Sequence, residues 1–410
     1  MPGFSIADAL MRRAMVTDAR ALTRGDVLAP ERSEQTVYPR FADRLKGGRM
    51  WDVDGNCYLD FLLGYGPVIL GHADDRITRA VTAELERGNC LAPMWSPRQV
   101  DLTELLCSVI PGAQMAYALK TGSDANSAAV RLARIFTSRP SVVRWGYNGW
   151  HDWAAGKPAG IPDAVRRHSL TFDADPVSLD RCFREHPDEI ACVLMMPFGD
   201  EPIPDGLLHD LKDVAHRHGA LFVLDEMRSG FRLALGGAQE YFGIQADLAT
   251  FSKAMANGYP ISAVVGRADV MRGLAATRIS STFYAGPAEM VAALETIKIL
   301  RTSDVLSRIW SLGRRLLDGL SGAVARSGVT AEVVGYPVMP FVRFTDPNPE
   351  RRARTRDQFF VETTRRGILL HPTHQWFICG AHAEQDIDDA VDACDAALSE
   401  VAAADQEAVR

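Results

Sequence analysis

Leu221-Phe222-Val223-Leu224-Asp225-Glu226 and Asp247-Leu248-Ala249-Thr250-Phe251-Ser252-Lys253 are the two stretches that decide the fold. Each opens as a short apolar run, and each ends in a charge. Asn257-Gly258-Tyr259-Pro260 then breaks the second. An ammonium just past a buried strand is costly away from water, so Lys253 has a poor structural reason to be there. It has a good chemical one. A desolvated lysine loses part of its charge, and the neutral amine forms Schiff bases with aldehydes.

Working outward, short apolar runs alternate with amphipathic helices from Met115 to about Gly266. Ser141–Trp145 and Ala191–Met196 read as strands, and Leu207–His218 reads as a helix closed by Gly219. This alternation predicts an α/β fold: a mostly parallel sheet covered on both faces. Ligands of such sheets bind beyond the carboxyl ends of the strands, where Asp225 and Lys253 lie. Upstream, Met50–Phe61 reads as a hairpin around an Asp-Gly turn, and 77–86 and 99–109 as helices. Downstream, 290–301, 305–325 and 383–401 read as helices, with strands expected at 330–344 and 368–379. The expected domains are an N-terminal arm and hairpin at 1–60, a large domain at 61–300, and a small α+β domain at 301–410 that the hairpin joins.

Composition narrows the class. The chain has 410 residues, 47% of them hydrophobic, and a net charge of −7, which argues against a nucleic-acid surface. No apolar run approaches the roughly 18 residues of a membrane span. The N-terminus turns charged at Asp8, Arg12 and Arg13 and lacks the apolar core of a signal peptide. The cysteines form no C-x-x-C pair, so buried, reduced thiols in a cytoplasmic protein are expected. His209, His216 and His218 sit on a polar helix, and no metal site is expected from them.

Three further segments carry chemistry. Lys120-Thr121-Gly122-Ser123-Asp124-Ala125-Asn126 precedes an apolar-spaced helix from Ser127. A Gly-Ser pair there is either a phosphate seat or an ordinary N-cap. Gly146-Tyr147-Asn148-Gly149-Trp150-His151 offers Tyr147 as a surface for a flat heteroaromatic ring, or is a plain turn. Asp225 is placed to hold a pyridine nitrogen protonated, or to pair with Arg228 or Arg232.

Taken in order, these segments resemble the class III pyridoxal-phosphate aminotransferases, and within them the glutamate-1-semialdehyde aminomutase-like branch. The resemblance rests on Leu221–Arg232, Ala234–Gln239, Asp247–Lys253, Trp51–Asn56, Gly71–Ala73, Thr121–Asn126 and Ala381–Asp388, collinear from about residue 38 to 390. It implies fold type I, pyridoxal 5′-phosphate as cofactor, and Lys253 as its Schiff-base lysine and proton carrier. It also implies Asp225 on the pyridine nitrogen, Gly122 and Ser123 on the phosphate, and Tyr147 and Met227 on the ring faces. Met227 replaces the family's usual valine. Ser281–Pro287 resembles the segment whose threonine, here Thr282, reaches the phosphate of a neighbouring subunit, implying a homodimer with shared sites.

Four departures bear on substrate. Met196-Pro197 replaces Glu-Pro, and Asn148 replaces the histidine of Tyr-His-Gly. Pro30-Glu31-Arg32-Ser33 does not match the Val-Arg-Ala-Phe stretch of the aminomutase. His371–Ile378 carries no carboxylate where the aminomutase has Phe-Glu-Ala-Gly-Phe. A two-substrate aminotransferase is therefore the simpler expectation, with an amino-acid donor such as glutamate and an aldehyde or ketone acceptor. Asn148, Trp150, His151, His374, Gln375 and Trp376 are expected to line a polar, aromatic pocket suited to an oxo-sugar or aminoglycoside precursor. The rival readings are an aminomutase or an epimerase on the same scaffold, and a non-catalytic binding relic. Intact Lys253 and Asp225 argue against the last.

Overall fold

A computed structural model describes residues 5–22, 38–284 and 286–409. The stretch 30–33 lies outside the described residues. The chain divides into two compact units, one running up to Asp74 and resuming at Ser307, the other spanning Asp75–Leu306. In chain order the strands are β1 (Ala42–Lys46), β2 (Arg49–Asp52), β3 (Cys57–Asp60), β4 (Met115–Leu119), β5 (Ser141–Trp145), β6 (Ser169–Thr171), β7 (Ile190–Met195), β8 (Leu221–Asp225), β9 (Leu248–Phe251), β10 (Ser262–Gly266), β11 (Ala331–Tyr336), β12 (Met339–Phe344) and β13 (Ile368–Leu369).

The 75–306 unit is built on a seven-stranded sheet of order β4-β10-β9-β8-β7-β5-β6. Only β10 runs antiparallel, to both β4 and β9; the other pairs are parallel. Strands β7 to β10 are buried at every position, which is why they read as unbroken apolar runs rather than alternating ones. The helix Gly122–Thr137 lays its alanine-rich face, with Ala125, Ala128, Ala129 and Leu132, onto Leu194, Val223, Leu248 and Val264 of the sheet. Small side chains let helix and sheet approach closely. Asp225 of β8 registers with Thr250 of β9, so Asp225 and Lys253 emerge at the same edge, at the ends of neighbouring strands.

The other unit has a four-stranded sheet, β1-β2-β3-β13, and a separate hairpin, β11-β12. The β2–β3 turn forms because Asp52 Oδ1 accepts from the backbone of Asp54 and Asn56 while Gly55 takes a φ of +86°. Among the described residues, no helix is long and apolar enough to cross a membrane.

Several expectations change. The helix expected from Ser127 starts at Gly122, because Thr121 and Asp124 form a reciprocal capping box. The strand expected over 368–379 is confined to Ile368–Leu369. Pro372 has no N–H to give a ladder, and the following backbone bonds irregularly, with Phe377 N on Phe61 O. The strand expected over 330–344 is a hairpin folded at Pro337-Val338. Pro349–Arg365 is an additional helix, capped by Asn348, whose charged sequence hides its period. Cys192, Cys379 and Cys394 are buried thiols, but Cys57 and Cys90 are exposed, which corrects the expectation of uniform burial.

Candidate active site

Lys253 follows β9 in a backbone conformation that side chains avoid. Its φ is +48°, left-handed for a non-glycine residue, and it opens the short turn Lys253–Ala256. Met255 N on Ser252 O (3.0 Å) and Ser252 Oγ on Ile261 O (2.7 Å) hold this turn against that strain. Non-glycine strain of this kind clusters at functional sites. Burial pushes the Lys253 amine down to about 8; Asp225 opposes the shift, while the Arg228 and Arg232 guanidiniums add to it.

Asp225 is 2% exposed. Its Oδ2 accepts from Asn126 Nδ2 at 2.8 Å and from Asn148 Nδ2 at 2.9 Å, and its Oδ1 accepts from Met227 N at 3.2 Å. Burial raises its carboxyl, and the amides of Asn148 and Asn126, the Met227 N–H and the charge of Lys253 oppose that rise. Asn126 is itself fixed: its Oδ1 accepts from Thr250 Oγ1 at 2.6 Å, and its Nδ2 also reaches Asn148 O at 3.0 Å. Asn126 and Thr250 are functional neighbours that sequence reasoning missed. Asn126 had a signal, since an asparagine on the small, apolar face of a helix needs a buried partner.

The N-terminus of a helix lies beside this pair, bringing Asn126 onto Asp225. Gly122 and Ser123 open the helix Gly122–Thr137, whose first-turn N–H groups favour an anion. A Cβ on Gly122 would sit 2.9 Å from Met227 Sδ, so glycine keeps the cradle open there. Ser123 Oγ accepts from Trp150 N at 3.2 Å, which leaves its proton to donate elsewhere. Gly149, at φ +108°, allows that approach: a Cβ on it would be 2.4 Å from Ser123 Oγ. The loop is pinned further along, where Ser127 Oγ takes the Trp153 indole N–H and bonds His151 Nδ1, each at 2.8 Å. Tyr147 and Trp150 project from it, 73% and 72% exposed.

The structure brings together Lys253, Asp225, Met227, Gly122, Ser123 and the loop that carries Tyr147. It does not gather all the expected pocket lining. Asn148 is 1% exposed and bound to Asp225. Gln375 and Trp376 are buried, and Trp376 Nε1 donates to His371 O at 2.9 Å. His374 belongs to the other unit, in a ring cluster with Tyr65 and His371. Thr282 is exposed in a turn near Tyr284, whose ring meets Tyr117 edge-on. Three arginines are held in structural contacts. Arg40 pairs with Asp8, Arg144 Nε donates to Ser169 Oγ at 3.0 Å, and Arg228 donates to Phe198 O and Gly199 O at 2.7 and 2.6 Å. Arg232 is fully buried.

A lysine and an aspartate so held beside an anion-accepting helix terminus suit an enzyme whose cofactor is an aldehyde on a phosphorylated pyridine. Comparison with known proteins gives the family. The model of the class-III aminotransferases matches residues 30–153 and 171–392. A 3-aminobutyryl-CoA aminotransferase of Cloacimonas acidaminovorans is 36% identical over 95% of this chain and 96% of its own. A glutamate-1-semialdehyde 2,1-aminomutase of Methanothrix thermoacetophila is 33% identical over 93% and 95%. A 2'-deamino-2'-hydroxyneamine transaminase of Streptomyces kanamyceticus is 35% identical over 77% and 81%. Among solved structures, the PLP internal aldimine form of the FumI protein of Sphingopyxis sp. MTA144 superposes with a TM-score of 0.89 at 30% identity, covering 96% of each chain. The chain belongs to the class III aminotransferases. It is a fold type I transaminase whose cofactor is pyridoxal 5′-phosphate, and it moves an amino group between a small-molecule donor and a carbonyl acceptor.

Proposed function

We propose that transamination runs on Lys253 and Asp225, with Gly122 and Ser123 on the cofactor phosphate and Tyr147 and Met227 on the two faces of its ring. The observation that carries this reading is the emergence of Asp225 and Lys253 from adjacent parallel strands, with the carboxylate already hydrogen-bonded. The cradle that a Cβ on Gly122 would fill and the undonated proton of Ser123 Oγ both suit this cofactor. Bound pyridoxal phosphate supplies an aldehyde that captures the amine and a ring that withdraws electrons from the adjoining carbon. Lys253 holds the cofactor between turnovers. Its Nζ would also take the proton from the substrate carbon, and an amine depressed to about 8 is neutral in useful amounts near neutral pH. Asp225, with Oδ2 held by the amides of Asn126 and Asn148, would face the ring nitrogen and keep a proton on it. The N–H groups of Gly122 and Ser123 and the Ser123 hydroxyl would hold the phosphate.

A homodimer completes the site, with the partner subunit's Thr282 on the phosphate. The exposed Met94, Trp95, Tyr147, Trp150 and Phe283 of this unit support a surface that a second copy covers. Unpaired cysteines support a cytoplasmic setting.

For substrate we infer an acceptor whose carbonyl bears no adjoining free carboxylate. The acyl-CoA and amino-sugar substrates in two relatives' names support this. Trp150 remains a candidate substrate contact. An amino acid, glutamate first, supplies the amine. The 33% identity to an aminomutase favours a second reading, in which the amine never leaves. Loading the enzyme with donor alone separates the two. A transaminase loses its visible absorbance and releases a stoichiometric oxo product, and 3-oxoacyl thioesters or oxo-sugars then restore the absorbance. Restoration only by α-keto acids would sink the acceptor assignment.

A further inference from the structure

Asp225 Oδ2 has both acceptor positions taken, by Asn126 Nδ2 at 2.8 Å and Asn148 Nδ2 at 2.9 Å. Oδ1 accepts from Met227 N at 3.2 Å and keeps one position. Asn148 is 1% exposed, and its own Oδ1 has no hydrogen-bond partner. An unmet buried carbonyl is costly. Turning the amide over would be worse, because it would set that carbonyl against the carboxylate. What the arrangement gains is the hydrogen bond given to Asp225.

We propose that Asn148 is a positioning residue: with Asn126 it saturates Asp225 Oδ2, so that Oδ1 alone meets the ring nitrogen of pyridoxal phosphate, and it does so without a proton that titrates. The inference rests on the cofactor reading above. The clamp is fixed from three sides. Asn126 comes from the helix Gly122–Thr137 and is held by Thr250 on β9; Asn148 comes from the loop after β5, where Gly149 lets the chain close on Ser123. The charged groups facing Asp225 are Lys253, Arg228 and Glu226. Glu226 accepts from Ser229 Oγ, Ala238 N and Gln239 N, and burial raises its carboxyl to about 7. These three groups are common to every variant at position 148, so differences between variants report on residue 148. A histidine there would add a group that titrates near neutral pH.

The test loads the holoenzyme with 15N-ring-labelled pyridoxal phosphate and follows the ring-nitrogen chemical shift from about pH 5.5 to about 8.5. Asn148→Ala should move the shift toward that of the unprotonated ring and weaken cofactor binding by on the order of tenfold. Asn148→His should add a pH step that the unsubstituted enzyme lacks. Melting of each apoenzyme reports folding, and if the alanine variant fails to fold, the histidine variant decides alone. Wild-type shifts at every pH in the folded variants would overturn the proposal. An unsubstituted enzyme that takes up no labelled cofactor would overturn the cofactor reading, and this inference with it.

Discussion

At Lys253 two costs meet in one residue: a left-handed backbone and an ammonium pressed toward its neutral form. Both make sense in a residue selected for reactivity rather than stability. Lys253→Ala should abolish visible absorbance and turnover while leaving the fold intact, checked by absorbance and circular dichroism. The rate at which apoenzyme captures cofactor should rise with pH through a midpoint near 8, because the neutral amine is the reactive form. A flat profile would contradict the depressed amine. Asp225→Ala should lower kcat by about 10²-fold or more, since the ring nitrogen loses the group that keeps it protonated. At this scale much was legible in the sequence. The nearness of Lys253 to Asp225 was readable because a charge closing an apolar run is costly to bury and is rarely kept for stability alone. The partners of Asp225 were not. Asn126 lies 99 residues away in the chain, and nothing local reports which carboxylate it serves.

Among the elements, the loop 146–153 and the helix Gly122–Thr137 act as one piece, tied through Ser123, Asn126 and Ser127. Gly149 is the point of closest approach. Gly149→Ala forces a Cβ to within 2.4 Å of Ser123 Oγ at a φ of +108°. It should cost on the order of 1–3 kcal/mol of stability and weaken cofactor binding, measured by thermal melts with and without cofactor. The capping box that starts this helix at Gly122 was present in the sequence as Thr121 and Asp124, yet the apolar spacing alone placed the start five residues late. The irregular 368–379 segment was misread for a related reason. Its apolar residues point into a core through irregular backbone, where a period of two has no meaning. In the other unit, His382 is fully buried and burial holds its imidazole down to about 4. It is therefore neutral in the fold and takes up a proton on unfolding below its ordinary value of about 6.5. Stability is complete above that value and falls by up to about 1.4 kcal/mol per pH unit as the pH drops from about 6.5 to about 4. Denaturant melts across this range should show that slope, and His382→Gln should flatten it.

For the whole molecule, the proposed homodimer would carry Thr282 of one copy to the site of the other. Lys253→Ala and Thr282→Ala homodimers should each be impaired, the first completely. Refolding them together in equal amounts should restore about a quarter of wild-type activity, since half of the dimers then carry one intact site. No gain on mixing would mean that each site is built within one chain. The parallel sheet was legible because buried strands keep their apolar runs wherever they pair. The substrate lining was not, because Gln375, Trp376 and Asn148 look polar or aromatic enough for a pocket and are instead engaged in packing and in holding Asp225. The most direct test of the account is to load the enzyme with pyridoxal phosphate, reduce it with borohydride and map the phosphopyridoxyl group by peptide mass spectrometry. The label should lie on Lys253; finding it on Lys46, Lys120, Lys157, Lys212 or Lys298 instead, or on no lysine, would contradict the account.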